Sequence, residues 1–436
     1  MKQNQFLAHL AGKSEYPIPS ILLATALILL SPFLTTFLCY AAFVICLYRI
    51  VRYDSRVFAT DYCVLIPITQ IFRAPDGMSM LIWLCLIASI WYFVRGNIRA
   101  NFALIILLLL LNYLISRMQM NIRAFVLCFG QIFILYVLLT KQNVASAVRA
   151  AKLFCWSLTI SSLLALPLRG SAQLVAICGK ETPAIWGMSV MRFQSFFEDP
   201  NYYSTLLIVA LALLCKLKET NNIRGVYFWI LGAVLLVMGI LTYSKMFFLV
   251  FVLLGGIYII WQFWNRKVFR GVFFSSVAVI AALFLLLSEA SPIAVILERF
   301  TSAKDLSDLT TGRTDIYAEY WRMITKTWGT FLFGFGMASQ VSGQGAHNIY
   351  IEIAYYFGVT GLILILMFYA SMIRCVSKTV QLENRQNALA KYIVVFMVAV
   401  SYLALHGVFE LLAYSCVFLG ILSIMIVPKE MPRNTA

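Results

Sequence analysis

Between Thr310 and Gly361 a polar, glycine-punctuated stretch, TTGRTDIYAEYWRMITKTWGTFLFGFGMASQVSGQGAHNIYIEIAYYFGVTG, interrupts an otherwise apolar sequence. It carries Arg313 and His347. A guanidinium can hold a phosphate, and a neutral imidazole can take a proton near neutral pH, so charge-handling chemistry is expected here. A second stretch, RFQSFFEDPN, supplies Arg192, Asp199 and Asn201, and a third, TYSK, ends in Lys245. Asn348 and Glu352 follow His347, and His406 and Glu410 stand four residues apart, on one face of any helix that holds them both.

Each of these residues also has a plain structural reading. Asp199-Pro200-Asn201 is a helix-start signal, with Asp199 or Asn201 capping free amides and the proline tolerated in the first turn. Lys245 can snorkel to lipid headgroups, and His347 can be a satisfied boundary residue. Arg313 can pair with Asp315 or Glu319, or it can clamp an anion beside a helix start, with Thr311 or Thr314 as the cap. The helix that follows, with Ile316, Tyr320, Met323 or Ile324 and Trp328 on one side, is expected to lie on the membrane. Glu352 is harder to explain structurally, because a carboxylate inside a membrane costs about 2.5–3.5 kcal/mol unless it is paired or hydrated.

The elements that must position these groups are membrane helices. With 62% hydrophobic and 12% charged residues and a mean hydropathy of +0.88, the composition excludes an ordinary soluble domain. The fold class expected is all-α: a single integral membrane domain over 1–436, a polytopic transmembrane bundle of about 12–14 helices. Helices are expected near 18–31, 33–50, 57–72, 77–94, 101–115, 121–139, 147–167, 201–217, 226–242, 244–264, 270–288, 347–373, 391–409 and 411–427. Pro32 splits the first pair, while Asp61 and Pro67 weaken the third. No cleavable signal peptide is expected, since residues 1–19 lack an apolar core.

The net charge of +16 follows membrane topology rather than nucleic acid. Arg49, Arg52, Arg56, Arg95, Lys141, Arg149, Lys216, Lys218, Arg224, Arg374, Lys378 and Lys391 are among the many cations gathered on one side, and the short turns of the other hold Arg73, Arg117, Arg123 and Lys245. Under the positive-inside rule both termini face the cytoplasm. Two longer segments, 168–200 and 288–346, are separated by four helices and therefore share the extracytoplasmic side. Arg192, Lys245, Arg313 and His347 can consequently meet at the outer face.

The ten cysteines fall almost wholly in predicted helices and offer no disulfide framework. There is no CxxC, no HExxH and no GxxxxGK[ST] loop, so neither a transition metal nor another cofactor is expected, Asp199 and Asp315 being the residues left to hold a divalent cation, and ATP is not hydrolysed by this chain. Asp305-Leu-Ser-Asp308 is not a DxD pair, and Gly334-Phe-Gly336 reads as a turn.

Taken in order, RFQSFFEDPN, TYSK, TGRTDIY, FGFGM and AHNIYIEIAYYFGVTGLI resemble the bacterial O-antigen ligase and O-antigen polymerase (Wzy-type) superfamily over 192–361, with HGVFE a looser echo. The resemblance implies a metal-independent glycosyltransferase of GT-C type in the bacterial cytoplasmic (inner) membrane, with a polyprenyl-diphosphate-linked oligosaccharide as donor and a glycan as acceptor. It implies Arg313 and His347 as catalytic and Arg192, Lys245 and Arg313 as diphosphate-binding, with Asp199, Asn201, Asn348, Glu352, His406 and Glu410 in support. Where the family usually carries arginine at the hairpin, this chain has Lys245, a point charge in place of a fork. Other implied partners are membrane lipids, a flippase and a chain-length regulator. Polymerisation of surface-polysaccharide repeat units is the favoured reading. Ligation of glycan onto a lipid A core or other acceptor is the second, and transport of lipid-linked sugars the third.

Overall fold

The structure, a computed structural model, describes residues 16–74, 77–95, 100–116, 132, 135–178, 191–264, 313–336, 345–380, 388–405 and 410–428. These residues are helical almost throughout and form no strand beyond an isolated Arg73–Ser79 bridge. The chain is an all-α, polytopic membrane protein. Among the described residues four helices are long and apolar enough to cross a bilayer, at Val144–Leu168, Pro200–Glu219, Lys245–Trp264 and Ile349–Lys378, and six shorter apolar helices accompany them. The expected helix at 270–288 and most of that at 121–139 lie outside the described residues.

In chain order the helices are α1 (Ile18–Leu30), α2 (Phe37–Arg52), α3 (Ser55–Leu65), α4 (Met80–Arg95), α5 (Ala100–Ser116), α6 (Val144–Ala165), α7 (Ala172–Cys178), α8 (Pro200–Glu219), α9 (Gly225–Leu241), α10 (Lys245–Trp264), α11 (Arg313–Ile324), α12 (Trp328–Phe333), α13 (Ile349–Thr379), α14 (Ala388–Ser401) and α15 (Leu411–Ser423). Local chemistry sets their starts. Asp54 accepts the Arg56 and Val57 amides, Asn143 and Ser146 form a reciprocal capping box, and Asp199 accepts the Asn201 amide at 2.6 Å with Pro200 in the first turn. At the other end of α1, Ser31 closes the helix on Leu27 and Ile28, and Pro32 prevents its continuation.

Helix α8 is the centre of the bundle. Of its apolar window 89% is buried, against 28% to 44% for the other long helices, and α6, α9, α10, α14 and α15 pack around it. Its polar ties fix which ends of the helices lie together. Near its start, Tyr203 donates to Ser162 at the end of α6; near its finish, Lys216 donates to the Lys391 carbonyl at the start of α14. Glu219 accepts from Tyr258 and Gln262 at the end of α10, and Asn222 donates to the Val427 carbonyl. The starts of α8, α10, α13 and α15 therefore share one end with α11. Tyr16 and Val427, near the two ends of the described chain, lie at the opposite end.

That opposite end holds most of the cations named above, including a buried one. Arg49 of α2 makes a two-point ion pair with Asp61 of α3, Nε to Oδ2 and Nη2 to Oδ1, both at 2.7 Å. Tyr16 also donates to Asp61, while Arg49 reaches Ser20 and the Pro17 carbonyl. Asp61, expected to weaken the third helix, instead anchors it to α1 and α2. In an apolar surround, two-point geometry with the remaining lone pairs occupied is what makes such a pair tolerable.

The expected helix at 347–373 differs from a simple span. Helix α13 runs from Ile349 to Thr379 and breaks at Gly358, where φ is 69°. The break frees carbonyls of the preceding turn, and the Gly334-Phe-Gly336 turn fills them: Phe335 and Gly336 donate to Tyr355 and Tyr356 at 2.8 and 2.9 Å. Only glycine fits, since a Cβ on Gly358 would overlap the Leu332 carbonyl and one on Gly334 would lie 2.6 Å from the Tyr356 oxygen. The segment carrying Arg313 is thereby locked onto the helix that His347 precedes.

Candidate functional site

Two groups of polar residues occupy the end at which α8, α10, α11, α13 and α15 begin. The first is built by the RFQSFFEDPN and TYSK segments. Phe193 donates its amide to the Leu241 carbonyl at 2.9 Å, which lays the segment against the end of α9. Arg192 then points its Nε at the Thr242 carbonyl, 2.9 Å away, and its Nη2 at the Asn201 side-chain oxygen, 3.1 Å away. The same oxygen accepts from the Ser244 hydroxyl at 3.0 Å. Asn201 thus links α8 to the hairpin before α10, and Lys245, half-buried, is the first residue of α10.

The second group surrounds His347. Arg313 is the first residue of α11, and its Nη1 lies 3.4 Å from the Ala404 carbonyl beyond α14. One turn further on, the Tyr317 hydroxyl lies 3.1 Å from the His347 carbonyl and 3.0 Å from that of Leu403. Burial raises the Tyr317 phenol above its ordinary range, while Arg313 and Asn348 pull it back. His347 itself is held at φ 52°, a left-handed conformation uncommon for a residue other than glycine. Asn348 caps α13 by accepting the Tyr350 and Ile351 amides at 3.0 and 3.2 Å. Glu352 is buried and accepts the Ala346 amide at 3.1 Å, which offsets part of its insertion cost.

Between the groups stand Tyr202 and Glu410. The Tyr202 hydroxyl donates to Glu410, and Asp199 and Glu352 lie within electrostatic reach of both. Glu410 occupies the capping position of α15 without capping it. Although its outward side is exposed, loss of hydration pushes its carboxyl up to about 7, as do the charges of Glu198, Glu352 and Asp199, against the opposing Tyr202 bond. The like-charge neighbours raise it however well its outward side is hydrated. Glu198 in turn pairs with Arg73.

The structure thus brings Arg192, Asp199, Asn201 and Lys245 into one group and Arg313, His347, Asn348 and Glu352 into the other, with Glu410 at their junction. His406 lies outside the described residues, as do 179–190, 288–312 and 337–344 of the two longer segments. Sequence reading missed Tyr202 and Tyr317, because a tyrosine near a membrane surface is ordinary. It also placed Trp328 on the apolar side of α11, whereas Trp328 begins α12 and is 80% exposed. Beside the second group an apolar cleft of about 220 Å³ opens between α13, α14 and α15, lined by Tyr350, Tyr369, Val398, Ala399, Tyr402 and Ile421 among others. Among the described residues no group of three His, Cys, Asp or Glu side chains is arranged to hold a metal ion.

Physically, this end can receive an anion. Arg192 reaches the Thr242 carbonyl and the Asn201 side-chain oxygen, and Arg313 the Ala404 carbonyl, contacts that orient each guanidinium. Lys245 also begins a helix, where the macrodipole already favours negative charge.

A family model described as O-antigen ligase matches residues 229–366, a segment that contains Lys245, Arg313 and His347. Over that segment the chain is similar to the O-antigen ligase and polymerase superfamily. No curated protein and no solved structure matches the chain significantly.

Proposed function

We propose that this chain polymerises polyprenyl-diphosphate-linked oligosaccharide repeat units of a surface polysaccharide, at the outer face of a bacterial inner membrane, with both termini cytoplasmic. The observation that carries the reading is the gathering of Lys245, Arg313 and His347 at helix starts on one end of the bundle, inside the segment that matches the family.

In this mechanism an acceptor hydroxyl attacks the donor's anomeric carbon. The new glycosidic C–O bond forms as the bond to the lipid diphosphate breaks, and His347 takes the hydroxyl proton as general base. Arg313, Arg192 and Lys245 stabilise the charge that grows on the departing diphosphate. The leaving group already carries the energy, so no nucleotide is consumed. The apolar cleft beside Tyr350 suits a stretch of prenyl chain, which keeps the diphosphate at the membrane surface. Asp199, Asn201, Asn348 and Glu352 act in support by fixing the helix starts.

A second reading, ligation of finished glycan to a separate acceptor, is favoured by the description of the matching family. The two readings share donor chemistry and differ in acceptor. Purified protein given lipid-diphosphate oligosaccharide alone is expected to make a ladder of longer glycans. Product that forms only after a lipid A core is added identifies a ligase. Arg313→Ala and His347→Ala are each expected to abolish elongation with membrane insertion intact, and full activity in either variant removes that residue from the mechanism.

A further inference from the structure

The left-handed backbone of His347 needs an explanation, because nothing in a helix start requires it: Asn348, the next residue, does the capping in an ordinary extended conformation. A residue held this way persists only when its surroundings hold it, and such residues cluster at functional sites. What holds His347 comes from another helix. Tyr317 sets its hydroxyl between the His347 and Leu403 carbonyls, and Arg313, four residues earlier on the same face of α11, reaches the neighbouring Ala404 carbonyl.

We infer that Tyr317 is a positioning residue, which ties the arm carrying the diphosphate-binding arginine to the backbone of the histidine that receives the proton. The inference rests on the reading of His347 given above. Tyr317 touches neither donor nor acceptor; its hydroxyl acts through the strained His347 peptide and fixes the imidazole relative to Arg313. One hydroxyl hydrogen serves two carbonyls, so the joint spans α11, the start of α13 and the end of α14 together.

Tyr317→Phe keeps the ring and removes the hydroxyl. It is expected to lower kcat on lipid-linked oligosaccharide extracted from producing membranes by on the order of tenfold, the scale of one lost hydrogen bond, with KM within about twofold. A second readout needs no transfer activity: the rate at which diethyl pyrocarbonate carbethoxylates His347, followed on its peptide by mass spectrometry, should change severalfold. A para-aminophenylalanine at 317, which keeps a donor at the same place, should restore both and shows that the ring site still folds. Native values of kcat and reactivity in Tyr317→Phe overturn the inference. So does a change in only one of them when His347 is required for transfer. Should His347→Ala remain active while Tyr317→Phe still alters His347 reactivity, the base role fails and the positioning contact stands.

Discussion

Arg49 at one end of the bundle and Arg192 and Arg313 at the other are held in different ways. Away from the candidate site, Arg49 and Asp61 are 1% and 2% exposed and meet charge to charge in a two-point pair. At the site, Arg192 and Arg313 rest on carbonyl and amide oxygens. Carboxylates there follow the helix dipoles: Asp199 caps α8 and Glu352 sits in the first turn of α13. Lys245 does the reverse, placing a cation at the start of α10. The Arg49–Asp61 pair closes a fold, whereas Lys245 stands against the dipole of α10, an opposition that an arriving anion would relieve.

The largest effect belongs to the closed end. Asp61→Ala leaves a guanidinium buried among apolar helices and should cost about 3–5 kcal/mol of stability. The double variant Arg49→Met/Asp61→Leu, which removes both charges, should recover most of that loss. Denaturant unfolding in detergent measures both, and a loss below about 1 kcal/mol in Asp61→Ala would show that the pair does not organise this end.

That pair also marks what could be read from the sequence. Helix positions follow from apolar run length, so most expected spans lie within a few residues of those observed, and Asp199-Pro200 announced the start of α8 because capping is local. The count of four helices between the longer segments rests on a span at 270–288 that lies outside the described residues. Pairing across helices was not legible: Asp61 read as a defect because its partner lies on another helix and no period links the two. The break in α13 was hidden for the same reason, since a glycine in a membrane helix is common and only the docking of Gly334 and Gly336 makes Gly358 a joint. Tyr317 drew no reading of its own from the sequence. Its role depends on where His347 and Leu403 fall in space.

A smaller effect sharpens the account of the site's carboxylates. Glu410 is raised from 4.5 to about 7 by lost hydration and by Glu198, Glu352 and Asp199. A carboxyl raised on folding favours the protonated native state, so its contribution is fully present below pH 4.5 and is lost as pH rises through about 7. Glu410→Gln cannot ionise. Its melting temperature should match the native protein's near pH 4.5 and exceed it increasingly toward pH 8. An unchanged difference across that range would mean that the neighbouring carboxylates do not act on Glu410.

The smallest effect tests the comparison most directly, because it predicts that stability and binding move in opposite directions. Lys245 opposes the dipole of α10, a placement worth about 0.3–1 kcal/mol, so Lys245→Gln should make the free protein slightly more stable. A group kept only for the fold would not have this sign. The same variant should gain less thermal stability than the native protein when inorganic pyrophosphate is added, because ligand stabilisation follows affinity for the native state. Lys245→Arg separates charge from geometry. A fork that engages two phosphate oxygens should strengthen pyrophosphate stabilisation relative to lysine's point charge, whereas a cation that merely snorkels to headgroups would leave it unchanged. If Lys245→Gln destabilises the free protein and leaves the response to pyrophosphate intact, the cation belongs with Arg49 as part of the scaffold, and the contrast between the two ends loses one of its supports.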